Sequence, residues 1–336
     1  MNRRRFLTAS ALTSAASSIR ALALPATPTT PACKPLPALP APPSPAITRQ
    51  LFPGFQQSMV PVEGAVINTL VGGSGPPLLL LHGNPETHVA WHKIAPQLAQ
   101  HFTIVLTDLR GYGDSSKPDG GPQHINYAPR TMAADQVQVM RHLGFPRFAV
   151  AGHDRGGRVA HRMALDYPEA ISRLAVLDIA PTLTMYRETN QDFATRYVWW
   201  FFLIQPAPGP ERMIGLDPEA YLREHMTPAA TPTALGEYLR CFCNAAAIHA
   251  GCEDYRAAAG IGLELDAADE AAGHKIQAPL LALWGAQGTV GHLYDVLATW
   301  RAKATSVTGK ALDCGHFMPE EQPTQVYDEL LKFFTV

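Results

Sequence analysis

Long apolar runs are missing from this sequence of 336 residues, and so is an excess of charge of either sign. No run reaches the roughly 18–20 apolar residues that a membrane-spanning helix needs, so we expect no transmembrane segment. Lysines and arginines number 27 against 29 aspartates and glutamates, and the resulting net charge of −2 argues against nucleic acid as a partner. The five cysteines form no C-x-x-C pair, so neither a zinc site nor a redox motif is indicated.

Apolar residues are abundant and prolines are unevenly spread. Apolar residues make up 46% of the chain and charged residues 17%, which excludes a disordered acidic or basic protein. The length suits one large domain, which could carry an insertion, or two ordinary domains, and it allows a sizeable core. Many of the 30 prolines fall between Pro25 and Pro45. Such a stretch is typical of an extended polyproline linker, and we assign residues 24–48 to it.

Residues 1–23 have the pattern of an export signal. Arg3-Arg4-Arg5 is followed by Phe6-Leu7, a weakly apolar stretch and Ala21-Leu22-Ala23, which has small residues at cleavage-site spacing. Paired arginines before Phe-Leu resemble the twin-arginine signal, so we expect a periplasmic or otherwise exported protein. An ordinary amphipathic N-terminal helix is the alternative.

Short apolar runs alternate with helical patterns in the rest of the chain. The runs are Pro77–Leu81, Phe102–Leu106, Phe148–Ala151, Leu174–Leu177 and Pro279–Trp284. Runs that are apolar throughout are typical of strands buried on both faces, and their alternation with helices predicts a doubly wound, mostly parallel α/β sheet. Strand patterns are missing between about Pro181 and Lys275. We therefore predict an α/β core formed by residues 49–181 and 276–336, with a helical cap at 182–275.

The segment Gly152-His153-Asp154-Arg155-Gly156-Gly157 lies between a predicted strand and a predicted helix. This is the context of a nucleophile elbow, but Asp154 stands where a serine or cysteine is common. A carboxylate nucleophile attacks saturated carbon and leaves an alkyl ester on the enzyme. The helix N-terminus favours the ionised form of Asp154. The alternative is that Asp154 merely caps the helix.

Two further segments have the positions that such a nucleophile requires. His82-Gly83-Asn84-Pro85 follows a predicted strand, so the backbone N–H groups of Asn84 and Arg155 are the predicted oxyanion hole. His316 follows the last predicted strand, where the histidine of a catalytic triad belongs, and it is the predicted base that activates water.

The acid of the triad is less obvious. The loop after Pro279–Trp284 contains no carboxylate, so Asp178, at the end of Leu174–Leu177, is the predicted acid that orients His316. Asp295 is the rival, although the residues around it suggest that it opens a helix.

At these residues the sequence resembles the α/β-hydrolase superfamily and, within it, the haloacetate dehalogenases, including fluoroacetate dehalogenases. The resemblance runs from about Val60 to Phe334. It rests on His82–His88, Asp108–Ser115, Gly152–Arg158, Leu177–Thr182, Phe201–Pro206 and Cys252–Arg256. It implies a hydrolytic dehalogenase that converts short 2-haloacids, by way of an aspartyl ester, into a hydroxy acid and halide. It implies a small-molecule substrate and neither a metal nor an organic cofactor.

The resemblance also implies roles for single residues. Asp154 matches the nucleophile, His316 the base and Asp178 the acid, while Arg155 and Arg158 match a clamp for the substrate carboxylate. Two arginines three residues apart on a first helical turn share a face, and guanidinium groups bind carboxylates through charge-assisted hydrogen bonds. The alternative for Arg158 is an ion pair with an acidic residue on the helix surface.

The halide-binding residues match the family only in part. Trp200 and Tyr255 match two of the family's donors, but Trp199 stands where the family has a histidine. An indole N–H still donates one hydrogen bond, yet fluoride, the poorest leaving halide, depends most on its donors. We therefore expect the change at Trp199 to impair turnover of fluoroacetate more than that of other haloacetates. Asn84 is a second departure and resembles the haloalkane dehalogenases, whose asparagine amide helps to hold the halide.

An epoxide hydrolase is the second hypothesis, because it uses the same Asp-His-Asp triad. It also needs tyrosines from the cap to protonate the opening ring. The candidates are Tyr186, Tyr197, Tyr221, Tyr238 and Tyr255. Arg158 argues against this hypothesis, since a neutral epoxide has no use for a carboxylate clamp. A non-catalytic binding protein on the same fold is a third hypothesis. The sequence leaves the oligomeric state open, a homodimer included.

Overall fold

The computed structural model describes residues 45–226 and 230–335. The predicted signal at 1–23 and the linker up to residue 44 lie outside these residues. The described part belongs to one compact unit, Pro35–Val336. Among its helices, none combines the length and the apolar character that crossing a membrane requires.

One sheet organises the described chain. Its eight strands are β1 (Gln56–Val62), β2 (Ala65–Gly73), β3 (Pro77–Leu81), β4 (Thr103–Thr107), β5 (Phe148–His153), β6 (Ile171–Leu177), β7 (Leu280–Gly285) and β8 (Val307–Leu312). Their order in space is β1-β2-β4-β3-β5-β6-β7-β8, and only β2 runs antiparallel to its neighbours. The predicted mostly parallel α/β sheet is confirmed, and the five predicted runs are β3 to β7.

Helices cover the sheet and form the cap. Before the cap come α1 (Pro45–Leu51), α2 (Ala95–Leu98), α3 (Pro129–His142) and α4 (Asp154–Asp166), with 3₁₀ segments at His88–Trp91 and Pro122–Tyr127. The cap contains α5 (Thr182–Arg187), α6 (Gln191–Arg196), α7 (Val198–Phe202), α8 (Gly209–Leu216), α9 (Pro218–His225), α10 (Pro232–Phe242), α11 (Ala245–Ala257), a π-helical turn (Ala258–Gly262) and α12 (Leu263–Ala271). After it come α13 (Thr289–Leu293), α14 (Val296–Arg301), α15 (Met318–Glu321) and α16 (Pro323–Phe334).

The central strands separate two apolar cores. In β3, Leu79 and Leu81 belong to one buried cluster and Leu78 and Leu80 to the other. This division follows from the alternation of side chains along a strand, and it explains why the strand is leucine throughout. Because β3, β5 and β6 are parallel, the loops that follow them meet at one edge of the sheet, where α/β folds bind their ligands.

The linker prediction is wrong at its C-terminal end. Residues 45–48 begin α1 rather than continue an extended segment. A proline at the first helical position loses no hydrogen bond, because the N–H that it lacks would have no partner within the helix. Further along α1, Thr48 is buried and its hydroxyl donates to Gln57 Oε1 at 3.2 Å.

Candidate active site

The turn between β5 and α4 forces Asp154 into a strained conformation. Asp154 is the first residue of α4 and has a φ of +43°, in the left-handed region. A Cβ on Gly152 would lie 2.4 Å from the carbonyl oxygen of Gly156, and one on Gly156 would lie 2.5 Å from that of His82. Only glycine fits at these two positions, so the turn presents the Asp154 carboxylate at the edge of the sheet as a nucleophile elbow does.

The three predicted triad residues meet at this edge. His316 Nδ1 lies 2.6 Å from Asp178 Oδ2, and the other oxygen of Asp178 accepts the backbone N–H of Gly285 at 3.0 Å. His316 Nε2 lies 3.9 Å from Asp154 Oδ2. An imidazole that donates through Nδ1 presents the lone pair of Nε2 to the nucleophile, which suits a base for water.

Asp295, the rival acid, has a different position. It precedes α14, and its Oδ1 accepts the backbone N–H of Ala298 at 3.0 Å as a helix cap. Asp178 is therefore the carboxylate in contact with His316.

One oxyanion donor already contacts the nucleophile. The backbone N–H of Asn84 donates to Asp154 Oδ1 at 3.1 Å. The N–H of Arg155 belongs to the first turn of α4, where backbone donors have no acceptor within the helix. His82 holds the Asn84 turn in place, because its Nδ1 lies 2.8 Å from the carbonyl oxygen of Gly83 and its Nε2 accepts the N–H of Leu109 at 3.0 Å.

The surroundings of Asp154 keep its carboxylate ionised. Burial alone would raise the pKa of Asp154, but the charges of His316, Arg158, His153 and Arg155 outweigh it and hold the pKa below its ordinary value. The nucleophile therefore carries a negative charge throughout the neutral pH range.

The two arginines of the predicted clamp have different partners. Arg155 is buried and forms an ion pair with Asp254 of α11: its Nε donates to Asp254 Oδ2 at 2.8 Å and its Nη2 to Asp254 Oδ1. Its guanidinium also lies 4.6 Å above the ring of Tyr255. The charge of Arg155 is already compensated within the protein, which the sequence analysis missed. The one available signal was the acidic pair Glu253-Asp254 in a segment that resembles the family.

Arg158 forms no ion pair with a carboxylate of the described residues. Its Nη1 donates to the carbonyl oxygen of Ala180 at 3.2 Å and to Thr182 Oγ1 at 2.9 Å, its Nη2 lies 3.4 Å from Met185 Sδ, and its Nε has no partner among those residues. The guanidinium lies 4.6 Å from the ring of Trp200. The predicted alternative, an ion pair with a surface acid, is wrong because Arg158 is 5% exposed and points inward. Arg158 is thus a buried cation that lacks a counter-ion other than the nearby Asp154.

A cavity of about 410 Å³ lies between the sheet edge and the cap. From the core it is lined by Asn84, Pro85, Asp154, Asp178, Thr289, His316 and Phe317. From the cap it is lined by Tyr197, Val198, Trp199, Glu224, His225 and Tyr255. Two predicted donors, Trp199 and Tyr255, therefore face the cavity. Arg155, Arg158 and Trp200 do not line it and are buried beside it. Arg155 contacts Tyr255, and Arg158 contacts Trp200, which packs against Tyr197 and Tyr255.

Two of the cap residues at the cavity have no role in the sequence analysis. His225 packs edge-on against Trp199, with ring centroids 5.7 Å apart, and its Nδ1 lies 2.7 Å from the carbonyl oxygen of Tyr221. Glu224 is exposed, and its carboxylate has no ion-pair partner among the described residues. No motif marks either residue, and only the fold brings them to the cavity.

The candidate tyrosines separate into two groups. Tyr197 and Tyr255 line the cavity, and their hydroxyls have no hydrogen-bond partner among the described residues. The others pack elsewhere: Tyr186 against Trp200, Tyr221 against His225 and Phe242, and Tyr238, which donates to Glu320 Oε1 at 3.1 Å.

One group of side chains in the described part of the chain has the spacing of a metal site. It consists of Asp114, Glu237 and Cys241. The guanidinium of Arg240 already occupies it, since its Nη2 donates to Asp114 Oδ2 at 2.7 Å and to Glu237 Oε1 at 2.6 Å. The arginine supplies the positive charge that a cation would bring.

Comparison with known proteins agrees with this geometry. The family model described as the alpha/beta hydrolase fold matches residues 76–323. A fluoroacetate dehalogenase of Burkholderia sp is 43% identical over 85% of this chain and 95% of its own length. A soluble epoxide hydrolase of Corynebacterium sp. (strain C12) is 34% identical over 81% of this chain and 95% of its own length. The crystal structure of ALR0039 from Nostoc sp PCC 7120 superposes with a TM-score of 0.82 at 57% identity, over 84% of this chain and 98% of that one. The chain is a hydrolase that belongs to the α/β-hydrolase fold family and, within it, to the haloacetate dehalogenases.

Proposed function

We propose that the protein is a hydrolytic dehalogenase for short 2-haloacids such as chloroacetate. The observation that carries the proposal is Arg158, a buried cation next to the nucleophile without a carboxylate partner among the described residues. Burying a charge costs free energy unless it is compensated; Asp154 supplies a negative charge nearby, and a substrate carboxylate would supply one in direct hydrogen-bonded contact. Similarity to the Burkholderia fluoroacetate dehalogenase supports the same reaction.

The first step forms an ester. Asp154 Oδ1 is bonded to the N–H of Asn84 and becomes the carbonyl oxygen, so Oδ2 is the attacking atom. It displaces the halide in line from C2 of the bound acid, and the halide leaves with the bonding electrons toward Tyr255, Trp199 and Asn84, which line the cavity, while Trp200 is buried behind them. Arg158 holds the substrate carboxylate, and Arg155 stiffens the site through Asp254.

The second step consumes water. His316 Nε2 takes a proton from a water molecule that attacks Cγ of the ester, while Asp178 stabilises the imidazolium. The N–H groups of Asn84 and Arg155 bind the oxyanion. Cleavage of the acyl C–O bond, with the proton on His316 passing to the departing oxygen, releases the hydroxy acid, and loss of one proton to solvent regenerates the Asp154 carboxylate. The balance is one haloacid and one water consumed, and one hydroxy acid, one halide and one proton formed.

The test is halide release by the full chain with chloroacetate, bromoacetate and fluoroacetate, read by ion chromatography beside Asp154→Asn. We expect release from the wild-type protein and a loss of at least about 10³-fold in the variant, because an amide is no nucleophile here. Circular dichroism of both proteins controls for folding. Substantial release by Asp154→Asn would overturn the assignment of the nucleophile, and no release by the wild type would overturn the reaction.

Epoxide hydrolysis is the second candidate, and one observation favours it. Two tyrosine hydroxyls, those of Tyr197 and Tyr255, face the cavity without a partner among the described residues, and two such acids suit the opening of an epoxide. The similarity to the Corynebacterium epoxide hydrolase points the same way. A panel of terminal epoxides, assayed by diol formation, separates the candidates. Diol formation that exceeds halide release and is lost in Tyr255→Phe would favour this second function.

We also propose that residues 1–23 export the protein through the twin-arginine route. The support is the motif Arg3-Arg4 before Phe6-Leu7. In a bacterial host, the full chain should reach the periplasm, and the double change Arg3→Lys and Arg4→Lys should retain it in the cytoplasm. Cytoplasmic retention of the unchanged chain would contradict the proposal.

A further inference from the structure

A buried histidine and glutamate behind the triad take no part in the mechanism above. His153 and Glu86 are 0% and 1% exposed. His153 Nδ1 lies 2.8 Å from Glu86 Oε2, and His153 Nε2 lies 2.8 Å from the backbone carbonyl oxygen of His316. Each ring nitrogen of His153 therefore faces an oxygen, one of a carboxylate and one of a carbonyl.

Counting the donors decides the charge state of this pair. A carbonyl oxygen only accepts, and Glu86 Oε2 already accepts the backbone N–H of Gly83 at 3.1 Å. With Glu86 as a carboxylate, both partners of His153 only accept, so both ring nitrogens donate and His153 is an imidazolium. The electrostatics agree: burial alone would lower the pKa of His153, but Glu86, then Asp154 and Asp178, raise it to about 9.

Glu320, whose carboxyl group lies close enough to feel the charge of Glu86, does not add a second negative charge to the pair. Burial and, next, the charge of Glu86 raise the pKa of Glu320 to about 8, so Glu320 is neutral at pH 7. Glu86 Oε1 and Glu320 Oε2 are both buried without a partner among the described residues. Glu320 therefore adds no negative charge beside the pair of Glu86 and His153 at pH 7.

The pair joins three loops of the site. Glu86 lies in the turn after β3 that carries Asn84, His153 immediately precedes Asp154, and the third contact is the main chain of His316. The packing leaves little freedom, because a Cβ on Gly83 would lie 2.7 Å from Asp154 Cβ and 3.1 Å from His153 Nδ1. A shift of the pair would therefore move the oxyanion turn and the base together.

We propose that Glu86 and His153 form a buried ion pair that positions the His316 base and the Asn84 oxyanion turn for hydrolysis of the aspartyl ester. Both are positioning residues, since neither lines the cavity. The proposal rests on the proposed function, because the ester step is its main readout. Formation of the ester needs the ionised Asp154 and the clamp but not the base, so the ion pair acts on the second step.

The test is Glu86→Gln in the full chain, studied by rapid quench with chloroacetate. A neutral glutamine removes the counter-ion of His153, which then loses a proton and one of its two contacts. We expect the first-turnover halide burst to stay within about threefold, and ester hydrolysis to slow by about 10- to 100-fold. The ester should then accumulate in the intact-protein mass spectrum. The pH profile of ester hydrolysis should gain an ionisation near neutrality, which a purely structural role would not produce.

Two controls accompany this variant. His161→Gln replaces a different buried histidine, one in α4 whose Nε2 has no partner among the described residues, and it should leave the ratio of the two steps unchanged. Glu86→Asp keeps the charge and should recover part of the loss. Imidazole nitrogen chemical shifts of the wild-type protein supply a measurement that needs no variant: His153 should remain doubly protonated at about pH 8, below its pKa of about 9.

The outcomes are distinct. Unchanged ester hydrolysis in Glu86→Gln, or a neutral His153 at pH 7 in the wild type, would overturn the proposal. Absence of halide release from the wild type would overturn the proposed function, and the nitrogen shifts would then still decide whether the ion pair exists.

Discussion

The active site has a core half and a cap half, and they are built differently. The core half consists of Asn84, Asp154, Asp178 and His316, and the cap half of Tyr197, Trp199, Trp200 and Tyr255. Every core residue stands directly after a strand or in the turn that follows it, and backbone contacts such as Gly285 N–H to Asp178 hold it. The cap residues come from α7, α11 and the junction before α7, and their contacts are mostly ring against ring. The core half is therefore held by more backbone contacts, and we expect the cap half to determine which substrates are accepted.

Replacing the acid of the core half should have the largest effect. In Asp178→Asn, His316 loses the carboxylate that stabilises its charged form, so ester hydrolysis should slow by about 10³- to 10⁴-fold. The halide burst should persist, because Asp154 remains ionised. Steady-state halide release and the mass of the intact protein check both parts. Asp295→Asn is the matched control and should keep steady-state release within about twofold, since that residue caps α14. A loss in the control instead would reverse the assignment of the acid.

Arg158, the predicted clamp for the substrate carboxylate, lies in α4 of the core and contacts Trp200 of the cap, so replacing it tests the site where the two halves meet. Arg158→Met removes the charge but keeps much of the side-chain volume, and it should lower kcat/KM for chloroacetate by about 10- to 100-fold, since hydrogen bonds to charged groups are the stronger ones. Arg158→Lys should retain part of the activity. Turnover of a neutral epoxide should respond to neither change. An unaltered kcat/KM in Arg158→Met would mean that the substrate carboxylate binds elsewhere.

Substitutions in the cap half should change the overall activity least, but they should alter the preference among halide leaving groups. Trp199→His replaces the indole donor beside His225 with an imidazole donor. This change should raise fluoride release relative to chloride release by about three- to tenfold, which corresponds to the free energy of one hydrogen bond. Competition between fluoroacetate and chloroacetate, followed by ion chromatography, measures the ratio. Leu216→Ala, at an exposed residue of α8 that does not line the cavity, serves as the control. An identical ratio in the wild type and Trp199→His would show that this position does not contact the leaving halide.

The same division explains what could be predicted from the sequence. Strands β3 to β7 each contain an uninterrupted apolar run because both faces of the sheet are covered there, and the core residues stand beside them at positions with strong local signals. The edge strands β1 and β8 are half exposed, so their sequences lack such runs. The partner of Arg155 lies 99 residues away, on a helix of the cap. Arg155 and Arg158 have the same local pattern, and only the folded chain reveals that one is neutralised and the other is not.

The ion pair between Arg155 and Asp254 affects the route by which substrate enters the active site and products leave it. Asp254 also accepts a hydrogen bond from the hydroxyl of Tyr112 at 2.6 Å. Two core residues, Tyr112 and Arg155, therefore hold α11, and Arg155 directly follows the nucleophile in sequence. Lifting the whole cap would break a buried ion pair on every turnover. We therefore expect entry and exit at the opposite rim, where Val198 and Glu224 meet solvent. The carboxylate of Glu224 would repel the halide and the hydroxy acid as they leave, which favours rapid clearance of two anionic products over tight capture of the anionic substrate.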